Sequence, residues 1–593
     1  MRIAVLVKQI PNFEEMRLGP DGRLQRAGID LELNPYCRRA VSQAVELASA
    51  RPGSRVTVIT LGPPTAEDAL REAIAWGMAR GVDIDGTLVT DPAFAGSDTL
   101  ATAKALAAAL DREGPFDLVL TGRNSVDADT GQVAPELAQL CDLRFLGGVR
   151  HLAIDGARVS ARCEHDDGWL QAEVHLPALL SCAERLIDPA KVDPPERAAV
   201  PADRIRRLTA TDLGPGPWGQ AASPTSVGNV RVMAVARAQQ RKPGAPLVEQ
   251  VRATVRLLHE RGAFRDTGDR GGAHGEVPPH QPDEPVTMVV VEPDRLHDTR
   301  ELLGAAASLT GNVIAVTFVD ELDARLLSSW GADSVAHLDG ENIEEDIAAA
   351  TTRFVQQRPE GPWAILTGST AWGREVASRV AAELGAGLTG DAVDLERQGD
   401  RLVAWKPAFG GQLVAAIHCA SEIQMATVRA GVLPTLAPRA PRGITFAAYP
   451  LNQRGRIRVL ARTRDDDLDL LAEAHTVIGV GMGVPPDAYE ELEPLRRLLD
   501  AELGATRKVT DKGWLPRSRQ IGITGRSIAP RLFLSIGASG KFNHAVGVRA
   551  AATVLAINAN ADAPIFDAAD AGIVGDWREV LPLLVEQLRA VRA

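Results

Sequence analysis

One arrangement of residues occurs twice along this 593-residue chain, about 250 positions apart. Trp76-Gly77, followed by Val-Asp and an apolar run, is echoed at Trp330-Gly331 ahead of Val335-Ala336-His337-Leu338. Phe116–Gly122 (F-D-L-V-L-T-G) is echoed by Trp363–Gly368 (W-A-I-L-T-G), and in each copy a polar turn and a long Ala/Glu/Leu helix are expected to follow. The two offsets, 254 and 246 residues, differ by a few loop residues, so the chain carries two related domains. Short apolar runs at Ile3–Val7, Val56–Thr60, Leu118–Thr121, Thr287–Val291, Val313–Val319 and Ala364–Thr367 alternate with segments of helical period. That alternation predicts parallel sheets covered by helices on both faces.

A chain of this length exceeds one core and should hold three or four domains. Apolar content of 45% and charged content of 24% are those of a globular protein. The net charge of -12 argues against nucleic acid as the main partner. Cys37, Cys141, Cys163, Cys182 and Cys419 show neither CxxC nor metal-like spacing, so reduced thiols and no metal site are expected. The opening M-R-I-A-V-L-V-K-Q reads as a strand rather than a signal peptide. No apolar run is long enough to span a membrane. A cytoplasmic protein without direct membrane insertion is expected.

Between the two copies lies Arg265 to Pro285, rich in Gly, Pro and charge and without apolar period, which reads as a flexible linker. A coil of roughly twenty residues spans on the order of 25 Å, enough to join subunits already in contact. Pro246–Phe264 has the pattern of an amphipathic helix (Val248, Val251, Val255, Leu257, Leu258). The stretch Ile521 to Asn558 is different in kind. Leu532, Phe533, Leu534 and Ile536 read as a buried strand, broken at Gly537, Ser539 and Gly540, after which His544-Ala545-Val546 begins a helix. Such a turn lets backbone N–H groups approach a phosphate.

Taken as a whole, that segment resembles the FAD-binding domain of the electron transfer flavoprotein α subunit. The family pattern Q-V-G-Q-T-G, V-A-P, G-I-S-G-A-I-Q-H, A-I-N, A-P-I-F lies without a gap on Gln520–Gly525, Ile528–Pro530, Gly537–His544, Ala556–Asn558 and Ala563–Phe566. The resemblance extends over the chain. Residues 1 to 264 look like the β subunit, through Val5–Pro11, Asn34–Cys37 and Ala128–Val133. Residues 286 to 593 look like the α subunit, through Gly368–Arg374 and Ala408–Gln412. It implies an α/β fold of two related adenine-nucleotide-hydrolase-like, Rossmann-like parallel-sheet domains and a C-terminal doubly wound FAD-binding domain. The expected boundaries are 1–210 for the β-like domain, 211–264 for its C-terminal arm and helix, 265–285 for the linker, 286–432 for the α N-terminal domain and 433–593 for the FAD domain. The helix in 246–264 is then expected on the flavin domain, and the fused chain would equal an αβ heterodimer.

The resemblance places FAD at Met482, Thr506, Arg507, Gln520, Ile521, Gly522, Ile523, Thr524, Ser539, Gly540, Lys541, Phe542, Asn543, His544, Asn558, Asp576 and Trp577. Arg507 matches the arginine over the flavin ring, where a cation stabilises the anionic reduced form and raises its potential. Thr524 matches the threonine at flavin N5, and a hydroxyl can donate or accept there; it would equally serve as a turn residue or helix cap. His544 matches the histidine near the flavin C2=O. The family G-G-R-G turn is V-G-M-G here, Val480–Gly483, so an arginine has become Met482, and a glutamine has become Ile523. Losing a cation and an amide should weaken pyrophosphate binding or lower the potential, unless Lys541 or Arg526 restores charge.

A second nucleotide site is implied at Leu6, Asn34, Pro35, Tyr36, Cys37, Leu61, Asp127, Asp129, Thr130, Gly131, Gln132 and Val133. Thr130, Gly131 and Gln132 would present backbone N–H groups at a helix start, although the same residues would serve as a plain Asp/Thr cap. Ordinary members carry AMP here and electron-bifurcating members a second FAD. The loop D-A-D-T-G-Q-V-A-P is shorter than the animal type and nearer the bifurcating one, with departures at Gly131 and Ala134, and both ligands stay open. Leu186–Ala199 stands where the family docks its dehydrogenase through a leucine; Pro194 takes that place, which implies either an unusual partner or a plain surface connection. The leading expectation is an electron carrier, from a flavin-dependent or other dehydrogenase to a quinone oxidoreductase or similar acceptor, with no catalytic acid–base residues. The alternatives are a bifurcating flavoprotein with two FADs and NADH as donor, and a flavin-free adenine-nucleotide-binding regulator.

Overall fold

A computed structural model describes the chain apart from residues 12–16, 19–23, 26–29, 167, 233–236, 265–274, 294, 319–320, 409–412, 465–469, 472–473, 523–524, 526–527, 541, 549–550 and 593. The described residues form two units. The first comprises Met1–Val232, Val277–Arg429 and Pro438–Thr463; the second comprises Met233–Glu276, Ala430–Ala437 and Arg464–Ala593.

The repeat governs the first unit. In its first half, Arg2–Leu6 lies between the parallel strands Arg55–Leu61 and Leu118–Gly122. Asp83–Val89 and Ile205–Leu208 extend one side, and Ala178–Cys182 and Arg144–Asp155 extend the other, all in parallel. In the second half, Thr287–Val290 lies between Val313–Thr317 and Ala364–Gly368, flanked by Ser334–Asp339 and Thr445–Pro450 on one side and Gln424–Val428 and Gly387–Ala392 on the other. Numbered along each half, both sheets read 7-3-2-1-4-6-5. Strands buried on both faces explain why these runs are nearly continuous Val, Ile, Leu and Ala.

Each half also lends a strand to the other. After its last parallel strand, the first half contributes Thr225–Val232, which pairs antiparallel with Leu413–Cys419 of the second. At the equivalent point the second half contributes Ile457–Arg464, which borders Gly168–His175 of the first. The expected boundary at 433 therefore falls elsewhere: Pro438–Thr463 belongs with the first unit because its strands complete two sheets there.

Two further readings are corrected. The helix after the second copy of the motif is long, Ala371–Leu384, but its counterpart is only Val133–Leu140, because residues 124–132 are spent on a loop where the second half has Thr370 alone. The expected helix at His544 is a single turn, Phe542–Ala545, running into a 3-10 turn at Val546–Val548. There the Gly547 carbonyl accepts a hydrogen bond from Ile528 N rather than from a continuing helix.

In the second unit the parallel sheet runs 501–505, 476–480, 532–536, 553–558, 571–574, and ends in Gln240–Arg241 from the arm that follows the first half. Leu247–Glu260 of the same arm forms the amphipathic helix read from the sequence and packs on Trp577–Arg592 and on Ala571–Val574. Val251, Val255, Leu257 and Leu258 join that core, whereas Val248 is exposed on the opposite side. Arg237 and Arg261 reach the fully buried Asp570 at 2.9 and 3.2 Å. The linker reading falls partly on residues outside those described, and Glu276 pairs with Ala437 in this unit.

If the helix is part of this core rather than a tether, Leu258→Ala should destabilise the second unit by about 2–5 kcal/mol. Urea unfolding followed through Trp514 and Trp577 should report that loss; an unchanged midpoint would show the helix to be dispensable.

Candidate functional site

The glycine turn of the second unit is built by contact. A Cβ at Gly481 would lie 2.3 Å from Ala538 Cα, and one at Gly540 (φ +71°) 2.2 Å from Ile565 Cα. Neither position accepts another residue without backbone movement. Asn558 Nδ2 donates to Ala538 O at 2.8 Å, and Trp577 Nε1 donates to Gly483 O at 3.1 Å. Both side chains thus fasten the turn from beneath. Met482 packs at the edge of the same core, and Ser539 is exposed at its tip. Asp576 accepts from Arg578 N at 2.9 Å at the start of the last helix.

Against this turn stands His544. Its ring is buried, and burial lowers its pKa against the hydrogen bond to Ile521. Nδ1 lies 3.1 Å from Ile521 O, which can only accept, so Nδ1 carries the hydrogen. Nε2 has no hydrogen-bond partner among the described residues. A buried polar atom left open is costly in a finished core and fits a group that binds from outside the chain. Thr506 precedes the short helix Arg507–Asp511, and the half-exposed Arg507 bonds Asp511 at 3.3 Å. Gln520 is buried and accepts from Thr510 Oγ1 at 2.7 Å; Ile521 packs in the core beside Gly522. Ile523, Thr524, Arg526 and Lys541 lie outside the described residues, as do the side chains of Phe542 and Asn543.

The second cluster forms at one end of the first unit. Asn34, buried ahead of helix Pro35–Ser49, donates to Asn124 O at 2.8 Å and to Cys37 Sγ at 3.3 Å, and accepts from Val126 N at 3.3 Å. It ties the 124–132 loop to the helix start. Tyr36 and Cys37 are packed so closely on Gly122 that a Cβ there would lie 2.8 Å from either residue's backbone. Leu6 is buried, Leu61 partly so. Burial pushes the Cys37 thiol up. Lys8 reaches Asp127 at 2.8 Å and draws its carboxyl below the usual value despite burial. Asp129 (φ +46°) accepts from Asn124 at 2.6 Å, and burial, then Asp391 nearby, pushes its pKa up. The N–H groups of Thr130, Gly131 and Gln132, leading into helix Val133–Leu140, donate to no described residue. These are the donors the sequence reading places at a helix start, and no described residue accepts from them.

Sequence reasoning missed what lies under that loop. Gln132 is buried, and its Oε1 accepts from Thr99 Oγ1 at 3.1 Å. The same hydroxyl lies 3.0 Å from Glu136 Oε1. Burial raises the Glu136 pKa to about 8, against the pull of that hydrogen bond. A hydroxyl has one hydrogen, so a protonated Glu136 donating to Thr99 leaves Thr99 free to hold Gln132. A lone glutamate at a helical position carries no sequence signal for this. Among the described residues no group of three or more His, Cys, Asp or Glu could hold a metal, and no helix is long and apolar enough to cross a membrane.

These two places coincide with family matches. The model of the electron transfer flavoprotein domain matches residues 21–206 and again 288–451, so one description covers both halves of the repeat. The model of the electron transfer flavoprotein FAD-binding domain matches 470–549. Electron transfer flavoprotein subunit alpha of Thermoanaerobacterium thermosaccharolyticum is 35% identical over 312 residues, 49% of this chain and 93% of that protein. Protein FixB of Bradyrhizobium diazoefficiens is 34% identical over 347 residues, 54% of this chain and 93% of its own. The caffeyl-CoA reductase-Etf complex subunit CarD of Acetobacterium woodii is 37% identical over 190 residues, 32% of this chain and 71% of its own.

Glu136 makes the loop's support sensitive to pH. Its folded pKa is raised, so its contribution to stability is full below the ordinary value of 4.5 and is lost as the pH rises toward about 8. Glu136→Gln keeps a donor and cannot ionise. Relative to wild type, the variant should gain on the order of a few kcal/mol between about pH 5 and pH 8, read as the difference of two denaturation curves. A constant difference would remove the neutral acid from this role.

Proposed function

Because this chain belongs to the electron transfer flavoprotein family, we propose that it takes electrons from a dehydrogenase and delivers them to a quinone oxidoreductase or similar acceptor, in a single chain standing for the αβ pair. It is an electron transfer flavoprotein with an FAD-binding domain. The observation that carries the flavin site is the buried His544 with Nε2 open beside the glycine turn, inside the segment matched by the FAD-binding domain.

FAD, when bound, supplies the redox chemistry through its isoalloxazine ring. The chain's own part is to bind, orient and bias it. The close-packed glycines at 481, 483, 537 and 540 admit the approach of a pyrophosphate to the backbone, and Asn558 and Trp577 keep that backbone in place. Arg507 supplies positive charge, and Ser539 and Thr506 polar contact. His544 is the responsive element. With Nδ1 committed to Ile521 O, Nε2 donates only when the ring is charged. Burial disfavours that charge until a negative charge arrives beside it. Proton uptake at His544 would then accompany reduction of the bound group.

For the loop at 127–133 the reading is an adenine nucleotide held by the open N–H groups of Thr130, Gly131 and Gln132, with AMP favoured. Asp129 and Asp127 frame it, and Asn34 and Gln132 set the loop's path. Leu186–Ala199 remains the candidate for partner contact: Pro194 opens an exposed single turn, Pro194–Ala198, anchored through Arg197 to the buried Glu72 at 3.1 Å.

Denaturing the purified protein and counting the released nucleotides tests this: one FAD and one AMP per chain are expected. Two FADs and no AMP would favour the bifurcating reading with NADH as donor, and a colourless chain would remove the flavin altogether. Arg507→Ala should lower the flavin potential with the fold intact, read by a reductive titration against reference dyes. An unchanged potential would take Arg507 off the ring.

A further inference from the structure

The two halves of the first unit share a topology but treat one position oppositely. In the second half, strand Ala364–Gly368 leads directly into helix Ala371–Leu384. Its first N–H groups are satisfied by the protein: Ala371 N donates to Asp166, and Gly373 N to Thr370 Oγ1 at 2.9 Å. Asp166 belongs to the turn between Arg158–Glu164 and Gly168–His175 of the other half. Burial works against its charge, but Arg374 and Arg123 hold its carboxyl well below the usual range. A side-chain carboxylate therefore stands where an anion could otherwise bind.

At the equivalent place in the first half the N–H groups of Thr130, Gly131 and Gln132 donate to none of the described residues. From the second half, the strand Arg401–Ala408 carries Lys406, whose charge acts on Asp129 of this loop and on Asp391. The Lys406 ammonium is sealed from solvent and makes no hydrogen bond or ion pair among the described residues. Around it, Asp391 is already engaged by Arg374 at 3.1 Å and by Arg429, and Asp129 by Asn124. The loop itself touches this group, since a Cβ on Gly131 would lie 3.7 Å from Arg374 Cδ. Arg374 and Arg429 are thus committed to Asp391, and Arg374 to Asp166 as well, which leaves the Lys406 ammonium without a partner among the described residues. Burial lowers the Lys406 pKa, opposed by Asp391 and Asp129. Leaving such a charge uncompensated is expensive, whereas an anionic oxygen would satisfy both it and the open N–H groups.

We propose that Lys406 is a ligand, contributed across the two halves, for a phosphate group of the adenine nucleotide bound at the 127–133 loop. The assignment rests on the nucleotide reading of that loop. The shared chemistry is a phosphate ester, whether of AMP or of a second FAD.

The test uses the full chain with its flavin retained and exchangeable nucleotide dialysed away, titrated separately with AMP and with FAD. Lys406→Met should weaken binding of whichever nucleotide the wild type takes by about 10- to 100-fold, and Lys406→Arg should restore part of it. Without nucleotide, K406M should melt no lower than wild type, because it removes an unpaired buried charge. Saturating nucleotide should then raise the wild-type melting temperature more than that of the variant. Equal nucleotide affinity in K406M and wild type overturns the assignment. So does a K406M protein that melts lower without nucleotide and gains as much from it, since Lys406 would then serve only Asp391 and Asp129. Should K406M fail to fold, Lys406→Gln is read by the same two criteria. A wild type that binds neither AMP nor FAD beyond its one flavin overturns the nucleotide reading itself, and this proposal with it.

Discussion

The exchange of strands between the two halves is the constraint on which the rest of the first unit depends. Thr225–Val232 pairs with Leu413–Cys419, and Ile457–Arg464 borders Gly168–His175. Each half closes its sheet extension with a strand it does not own. Edge strands otherwise expose unpaired N–H and C=O groups, so neither half is complete alone. The hairpins that receive the exchanged strands are the ones that carry Asp166 and Lys406. Ion pairs follow the same seam: Arg456 bridges the buried Glu345 at 2.9 Å and the exposed Asp142, more than three hundred positions away, at 2.8 Å.

The second unit is assembled on the same principle. Its outer strand, Gln240–Arg241, and a core helix, Leu247–Glu260, come from the arm after the first half, while its main sheet comes from the C-terminal segment. Asp570, fully buried, is neutralised by Arg237 and Arg261 of that arm. A buried carboxylate with one partner removed costs far more than the intact pair contributes, so the arm is held by charge as well as by apolar contact. Segments already interleaved in both units ask little of the chain that connects them, because loop closure adds entropy cost slowly with length.

Much of this was legible in the sequence, and the limits are physical. The strands Leu118–Gly122 and Ala364–Gly368 announced themselves because burial on both faces demands unbroken apolar runs. The amphipathic helix did so through its period, although Val248 proved to face outward. The glycine turn was legible because a residue with φ of +71° packed on Ile565 has few substitutes. The length of helix Val133–Leu140 was not, because a loop and a helix can share the same Asp, Thr and Gln residues. Strand exchange was not either: nothing in the pattern of Thr225–Val232 says whose sheet receives it. His544 was found only through the family pattern, and Glu136, Lys406 and Asp166 by nothing local. Their meaning lies in partners drawn from distant segments.

The paired architecture explains how one half can hold a loop with N–H groups that no described residue accepts while its twin does not. The two sheets have the same strand order, so the end of the fourth strand offers the same start for a helix in both. What differs is the length before that helix and the charge that arrives opposite it. A nine-residue loop with open N–H groups meets a lysine on one side; a single Thr370 meets Asp166 on the other. An internal carboxylate at a helix start satisfies the donors and the positive end of the dipole permanently. It stabilises the fold and forecloses the site in the same act. Duplication thus supplied two potential anion sites, and the sign of one crossing side chain decided which would be filled from within.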